Sequence, residues 1–137
     1  MPLVKKADLR TILMVEDDPD IGVLARIALE ELGGWKLHLF TSGEPALQAI
    51  GEIGPDLIIL DYRLPVLSGA DILERLRAEH PGCDAPVLFL TASVMPQQIQ
   101  RLKDLGAADV LAKPFDPVEL PQLLSRFWQS HLQNGSD

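Results

Sequence analysis

Ile12-Leu13-Met14-Val15-Glu16-Asp17-Asp18-Pro19 is four apolar residues running straight into three carboxylates and a proline. An unbroken apolar run this short reads as a strand buried on both faces, as in a parallel sheet. Asp18-Pro19 then reads as a helix N-cap followed by a first-turn proline. The reading is therefore strand, acidic turn, helix. A second run, Leu57-Ile58-Ile59-Leu60, also ends on a carboxylate, Asp61. If the two strands are parallel, both acidic ends share one edge of the sheet, where open α/β folds place their sites. Two unit charges about 4 Å apart repel by roughly 4 kcal/mol at an effective dielectric near 20. Carboxylates gathered there need a proton or a cation, and an oxygen-lined pocket suits a hard divalent ion such as Mg²⁺, with Mn²⁺ as a second candidate.

The pattern repeats outward from these two runs. Ile21, Leu24, Ala25, Ala28 and Leu32 keep helical spacing up to Gly33-Gly34, and Trp35 to Phe40 alternates with Lys36 and His38 as a half-exposed edge strand would. Ser42 precedes a short helix ending near Gly54-Pro55. Ser68 and Asp71 form a capping start for a helix carrying Ile72, Leu73 and Leu76, which Pro81-Gly82 ends. Val87 to Leu90 is a fourth strand, Ile99, Leu102 and Leu105 mark a fourth helix, and Val110-Leu111-Ala112 is a fifth strand. Asp116-Pro117-x-Glu119 reads as a capping start for a last helix on Leu120, Leu123, Leu124, Phe127 and Trp128, with Pro121 awkward there, so that either the first turn is irregular or the helix begins later. Beyond Gln129 the polar chain is expected to fray. Strands alternating with helices predict right-handed crossovers and a doubly wound parallel sheet covered on both faces.

Composition narrows the class. The chain has 137 residues, 47% of them apolar, enough for one domain with a true core. No apolar stretch reaches the length of a membrane span, and the first ten residues lack the apolar run of a secretory signal. A cytoplasmic location with no membrane partner is the expectation. Cys83 is the only cysteine, which excludes an internal disulfide and reads as an incidental loop thiol. The net charge of −8 argues against a nucleic-acid footprint. His38, His80 and His131 have no ligand spacing and receive no role, and Lys5 and Lys6 read as a solvated lead-in.

Two further residues complete a constellation. Thr91 follows the fourth strand and Lys113 the fifth, on the edge that carries Glu16, Asp17 and Asp61. A carboxylate, a metal site, a hydroxyl and an ammonium on one rim are the parts of a phosphoryl-transfer site, and carboxylates form acyl-phosphates. Here the chain resembles the receiver domain of two-component response regulators, the chemotaxis-regulator-like family. The resemblance rests on Val15-Glu16-Asp17-Asp18, Leu60-Asp61-Tyr62-Arg63-Leu64-Pro65, Leu90-Thr91-Ala92 and Lys113-Pro114-Phe115, in family order and spacing. It spans roughly Ile12 to Trp128.

The resemblance implies a flavodoxin-like sheet in strand order 2-1-3-4-5. It implies Asp61 as phosphoacceptor from a phosphohistidine on a sensor kinase or phosphotransfer protein. It also implies Mg²⁺ held by Asp17, Asp61, Glu16 and the backbone carbonyl of Arg63, Thr91 as the switch hydroxyl, Lys113 pairing with the phosphoryl group, and a cis Lys113-Pro114 bond. Asp18 is expected to cap rather than ligate. The chain is then no enzyme beyond its own phosphorylation and slow autodephosphorylation. It divides into a lead-in (1–10), a receiver domain (11–130) and a polar tail (131–137), with the face of helix four, strand five and helix five meeting a downstream protein. Trp128 is expected in the core, with an interface role as the alternative.

Two departures stand out. Val110 occupies the family's aromatic switch position. Arg63 and Ser93 occupy the two positions that tune dephosphorylation, so an altered aspartyl-phosphate lifetime is expected. Because no effector domain follows, a single-domain regulator is the favoured reading, beside a receiver cut from a hybrid kinase or multidomain regulator and a phosphorylation-independent docking module. A haloacid-dehalogenase-like phosphatase would need a D-x-D nucleophile pattern after the first strand, and a flavodoxin-like FMN binder would need a phosphate-cradling loop where this chain is acidic.

Overall fold

The computed structural model describes residues 8–135. The expectations for Lys5, Lys6 and the rest of residues 1–7, and for residues 136 and 137, lie outside the described residues. Five strands, β1 (Thr11–Val15), β2 (Lys36–Phe40), β3 (Leu57–Asp61), β4 (Val87–Thr91) and β5 (Asp109–Ala112), form one sheet in the order β2-β1-β3-β4-β5. Every neighbouring pair is parallel. Five α-helices connect them: α1 (Pro19–Arg26), α2 (Gly43–Ile53), α3 (Gly69–Glu79), α4 (Pro96–Asp104) and α5 (Leu120–Gly135).

The apolar runs are continuous because both faces of the sheet are covered. Successive side chains of a strand point to opposite faces. Leu13, Val15, Ile58, Leu60, Val87 and Phe89 therefore pack under α2, α3 and α4, with Leu47, Ile72, Leu76 and Leu102. Ile12, Met14, Leu57, Ile59, Leu88 and Leu90 pack on the other face, against Ala25, Ala28, Leu29, Leu120 and Leu124 of the α1–α5 side. β1 after Thr11, and β3 and β4 before their last positions, have no polar residue because no solvated face exists to receive one.

Local signals hold where side-chain oxygens meet backbone donors. Asp18 caps α1 by accepting from the Asp20 amide, and Ser68 and Asp71 form the reciprocal capping box of α3. Three expectations need correction. The helix begun at Pro19 does not stay α-helical to Leu32. It widens into a π-helical segment, Ile27–Leu32, in which the Glu30 carboxylate takes Arg26 at 2.9 Å and the Leu37 amide of β2 at 3.1 Å. The last helix starts at Leu120 rather than at the Asp116-Pro117 turn, which closes instead on the Val118 amide at 2.9 Å. Pro121 thereby falls in the first turn, where its missing N–H has no helical acceptor to lose. The same helix runs past Gln129 to Gly135, and the His131 ring stacks on Phe127 at 5.7 Å and leans on Trp128 at 5.5 Å. Trp128 itself is buried, as core packing required.

Candidate functional site

Register assembles the site. Val15 pairs with Leu60, so the residues that follow them, Glu16 and Asp61, emerge side by side. Asp61 pairs with Leu90, which puts Thr91 one step further out on the next strand. Thr91 pairs with Ala112, and Lys113 is one step beyond again. Residues far apart in sequence thus meet on one edge without a long loop to place them.

The contacts confirm the convergence. Carboxylate oxygens of Glu16, Asp17 and Asp61 all lie within 4.8 Å of one another. Asp61 is 2% exposed and Glu16 1%, while Asp17 is exposed. Lys113 Nζ donates to Asp61 Oδ2 at 2.8 Å, and the Arg63 amide donates to Asp61 Oδ1 at 3.1 Å. The Asp18 amide donates to Glu16 Oε2 at 3.0 Å. Lys113 Nζ also stands 3.3 Å from Glu16 Oε1, an ion pair whose direction leaves that oxygen without a hydrogen bond. The Lys113-Pro114 peptide is cis, and the Lys113 amide donates to the Thr91 carbonyl at 2.9 Å.

Thr91 is buried, and its Oγ1 accepts from the Ser93 amide at 3.2 Å. Arg63 contributes its backbone, and its side chain is exposed with no ion pair among the described residues. Gly69 closes the site from behind. A Cβ there would stand 2.6 Å from the Asp61 carbonyl and 2.9 Å from the Phe89 ring, so only glycine lets α3 start this close to the strand end. Val110, at the switch-aromatic position, is half-buried against the core opposite Phe89. Tyr62 meets Phe89 edge-on, centroids 5.8 Å apart.

Electrostatics follow from burial. Burial pushes the Glu16 carboxyl up to about 7, and the neighbouring Asp61 charge adds to this, against the Asp18 amide and Lys113. Burial works to lower Lys113, yet its hydrogen bond to Asp61 and the charges of Glu16 and Asp61 outweigh it and leave the ammonium raised. The Lys113 ammonium pairs with two of the three carboxylates, Asp61 and Glu16, and Glu16 Oε1 accepts no hydrogen bond. A buried acceptor without a donor is uncommon and asks for a proton or a cation. The all-oxygen donor set fits a hard divalent ion.

The sequence matches the response regulator receiver domain over residues 12–125. The chain belongs to this family. The chemotaxis protein CheY4 of Vibrio cholerae superposes with a TM-score of 0.78 at 28% identity, covering 88% of this chain and 99% of that one. The transcriptional regulator RpaA of Synechocystis is 38% identical over 109 residues, 80% of this chain and 45% of the relative. PcoR of Escherichia coli is 41% identical over 112 residues, 82% of this chain and 48% of its own length. The chain spans about half the length of the curated relatives it matches. It is a receiver domain of the two-component type, with the chemotaxis-regulator fold and strand order that the motifs led us to expect.

The motifs named Glu16, Asp17, Asp61, Thr91 and Lys113, and the fold brings all five to one edge. They could not name the Arg63 and Asp18 amides as donors, because any residue type supplies an amide. The spacing of each two positions after the carboxylate it meets was the available signal. No described helix is long and apolar enough to cross a membrane.

Proposed function

We propose that this receiver domain accepts a phosphoryl group on Asp61 from a phosphohistidine on a sensor kinase or phosphotransfer protein. The reading rests on one observation: a buried carboxylate held from two sides by Lys113 and the Arg63 amide, beside a buried Glu16 oxygen that is ion-paired with Lys113 at 3.3 Å yet accepts no hydrogen bond. An Asp61 oxygen forms the new P–O bond while the P–N bond to imidazole breaks. The departing imidazole nitrogen keeps the electron pair and takes a proton. A divalent ion held by Glu16, Asp17, Asp61 and the Arg63 carbonyl would supply positive charge to the phosphoryl oxygens. Lys113 adds a second cation already in place, so little reorganisation accompanies the charge transfer.

Phosphorylation then draws the Thr91 hydroxyl, which accepts from the Ser93 amide, to donate its own proton to the new oxygens, and biases the loop between β4 and α4. With Val110 in place of an aromatic ring, the hydroxyl moves without a coupled ring rotation. The face of α4, β5 and α5 is the proposed output surface, acting on a protein in the cytoplasm and not on nucleic acid directly. The test is labelling by acetyl phosphate with Mg²⁺, or trapping with beryllofluoride, in wild type and Asp61→Asn. Modification lost with the substitution supports the reading, and identical behaviour sinks it.

A further inference from the structure

The π-helical segment Ile27–Leu32 leads into a groove that the Asp61 site does not use. Leu32 and Trp35 face Pro121, Gln122, Ser125 and Arg126 of α5 across a cavity of about 370 Å³. Trp35 immediately precedes β2, so it stands at the opposite edge of the sheet from Asp61, which ends β3. π-helical turns are uncommon and gather at functional sites. Here the turn has a local consequence. The Glu30 carboxylate is taken by Arg26 and by the Leu37 amide. Among the described residues no acidic side chain lines the groove, although the chain carries a net charge of −8.

The groove instead holds donors that nothing in the fold engages. Arg126 is exposed and forms no ion pair or hydrogen bond among the described residues. The ring N–H of Trp35, the Gln122 amide and the Ser125 hydroxyl have no hydrogen-bond partner among them either. The indole is half-buried and set in place by its turn. A Cβ at Gly33 would stand 2.6 Å from two carbons of the Trp35 ring and 2.9 Å from the Leu29 carbonyl oxygen, so glycine lets the ring rest against the backbone. The Trp35 amide donates to that same carbonyl at 2.9 Å. A ring positioned in advance loses little freedom when a second ring stacks on it.

We propose that this groove binds a small aromatic anion, with the ligand's ring on the Trp35 indole and its carboxylate or phosphate on Arg126. Ring stacking and a guanidinium paired with a planar or tetrahedral anion are complementary halves of one recognition. Gln122 and Ser125 offer the anion further donors. The volume lies at the small end of ligand pockets, enough for one or two fused rings. Occupancy ties the end of the first helix to α5, a wall of the proposed output face. The chain thereby gains an input independent of the phosphoacceptor reading.

The test follows the Trp35 ring N–H by proton–nitrogen NMR, assigned by its loss in Trp35→Phe. Naphthoate and AMP are titrated in turn. The expected result is saturable movement of that signal and of the Ser125 and Arg126 amides, with a Kd of about 1 mM or tighter for at least one anion. Saturation by naphthoate alone assigns the site to carboxylates, by AMP alone to nucleotides, and by both to the shared chemistry. Arg126→Gln raises Kd about fivefold or more with the rest of the spectrum unchanged, and the neutral counterpart, naphthalenemethanol or adenosine, is weakened to a similar degree. Asp61→Asn binds as wild type does. The proposal falls if neither anion saturates the signal, or if Arg126→Gln leaves Kd unchanged. It falls equally if the neutral counterpart binds as tightly as the anion, or if Asp61→Asn abolishes the movement, which would place the ligand at the carboxylate edge.

Discussion

Glu16 is the most deeply buried charged residue among those described, and its proton should be measurable. Its carboxyl is raised to about 7 in the fold, against an ordinary 4.5. The folded chain therefore binds this proton more tightly than the unfolded one. The corresponding stability is complete below the unfolded value and is lost as pH rises through about 7. A metal ion needs the ionised carboxylate, so its binding expels the proton. Mg²⁺ affinity should rise roughly tenfold between about pH 6 and pH 8 if one such group controls it. A Mg²⁺ titration followed by tryptophan fluorescence or calorimetry at both pH values measures this, and Glu16→Gln should flatten the dependence while weakening affinity. An unchanged slope in the variant would remove Glu16 from the ligand set. Arg63 makes a second prediction at this scale. Its side chain is exposed, with no ion pair among the described residues, two positions from Asp61. Decay of the phosphorylated form should differ between wild type and Arg63→Ala, and equal lifetimes would refute the idea. Acidic identity was legible in the sequence. The Glu16 oxygen that accepts no hydrogen bond was not, because it depends on directions among groups as far apart in sequence as Glu16 and Lys113.

The start of α3 is the element most tightly bound to the site. Gly69 begins the helix against the Asp61 carbonyl, and its amide donates to the Tyr62 carbonyl at 3.1 Å. Gly69→Ala would force the helix or the strand end aside, and overpacking of this kind costs about 1–3 kcal/mol. Chemical denaturation should show that loss, and acetyl phosphate labelling should slow with it. A stable, fully active variant would show that the helix can shift freely. At the far end of α5, His131→Ala removes the ring that packs on Phe127 and Trp128. Amide exchange should then accelerate beyond Trp128 with little effect on the sheet. Element starts were legible where a capping side chain marks them, as at Asp18 and Ser68. The π-helical end of the first helix was not, because apolar spacing barely separates the two helical periods over six residues. The late start of α5 turned on whether Pro121 or the Asp116 turn prevailed, and the proline's place in the first turn decided it.

The strand order of the whole molecule was legible because buried runs alternate with capped helices, and parallel connection leaves few topologies. Its response to ligands should be global. An ion that binds only the folded state stabilises it by about 2.7 kcal/mol at a hundredfold excess over Kd. The melting temperature should rise with Mg²⁺ in wild type, and further with beryllofluoride added. Asp61→Asn should lose the second increment entirely. A second increment retained in that variant would mean the ligand stabilises through some other region.

The register that joins Glu16, Asp61, Thr91 and Lys113 has one more consequence. Each arrives on a different strand, and Lys113 is synthesised last. On the phosphoacceptor reading, a nascent or partly denatured polypeptide owns every reactive group and still cannot be charged, because the groups meet only when the final strand docks. The pathway's message is thereby gated by completed folding, and damaged copies stay silent instead of signalling falsely.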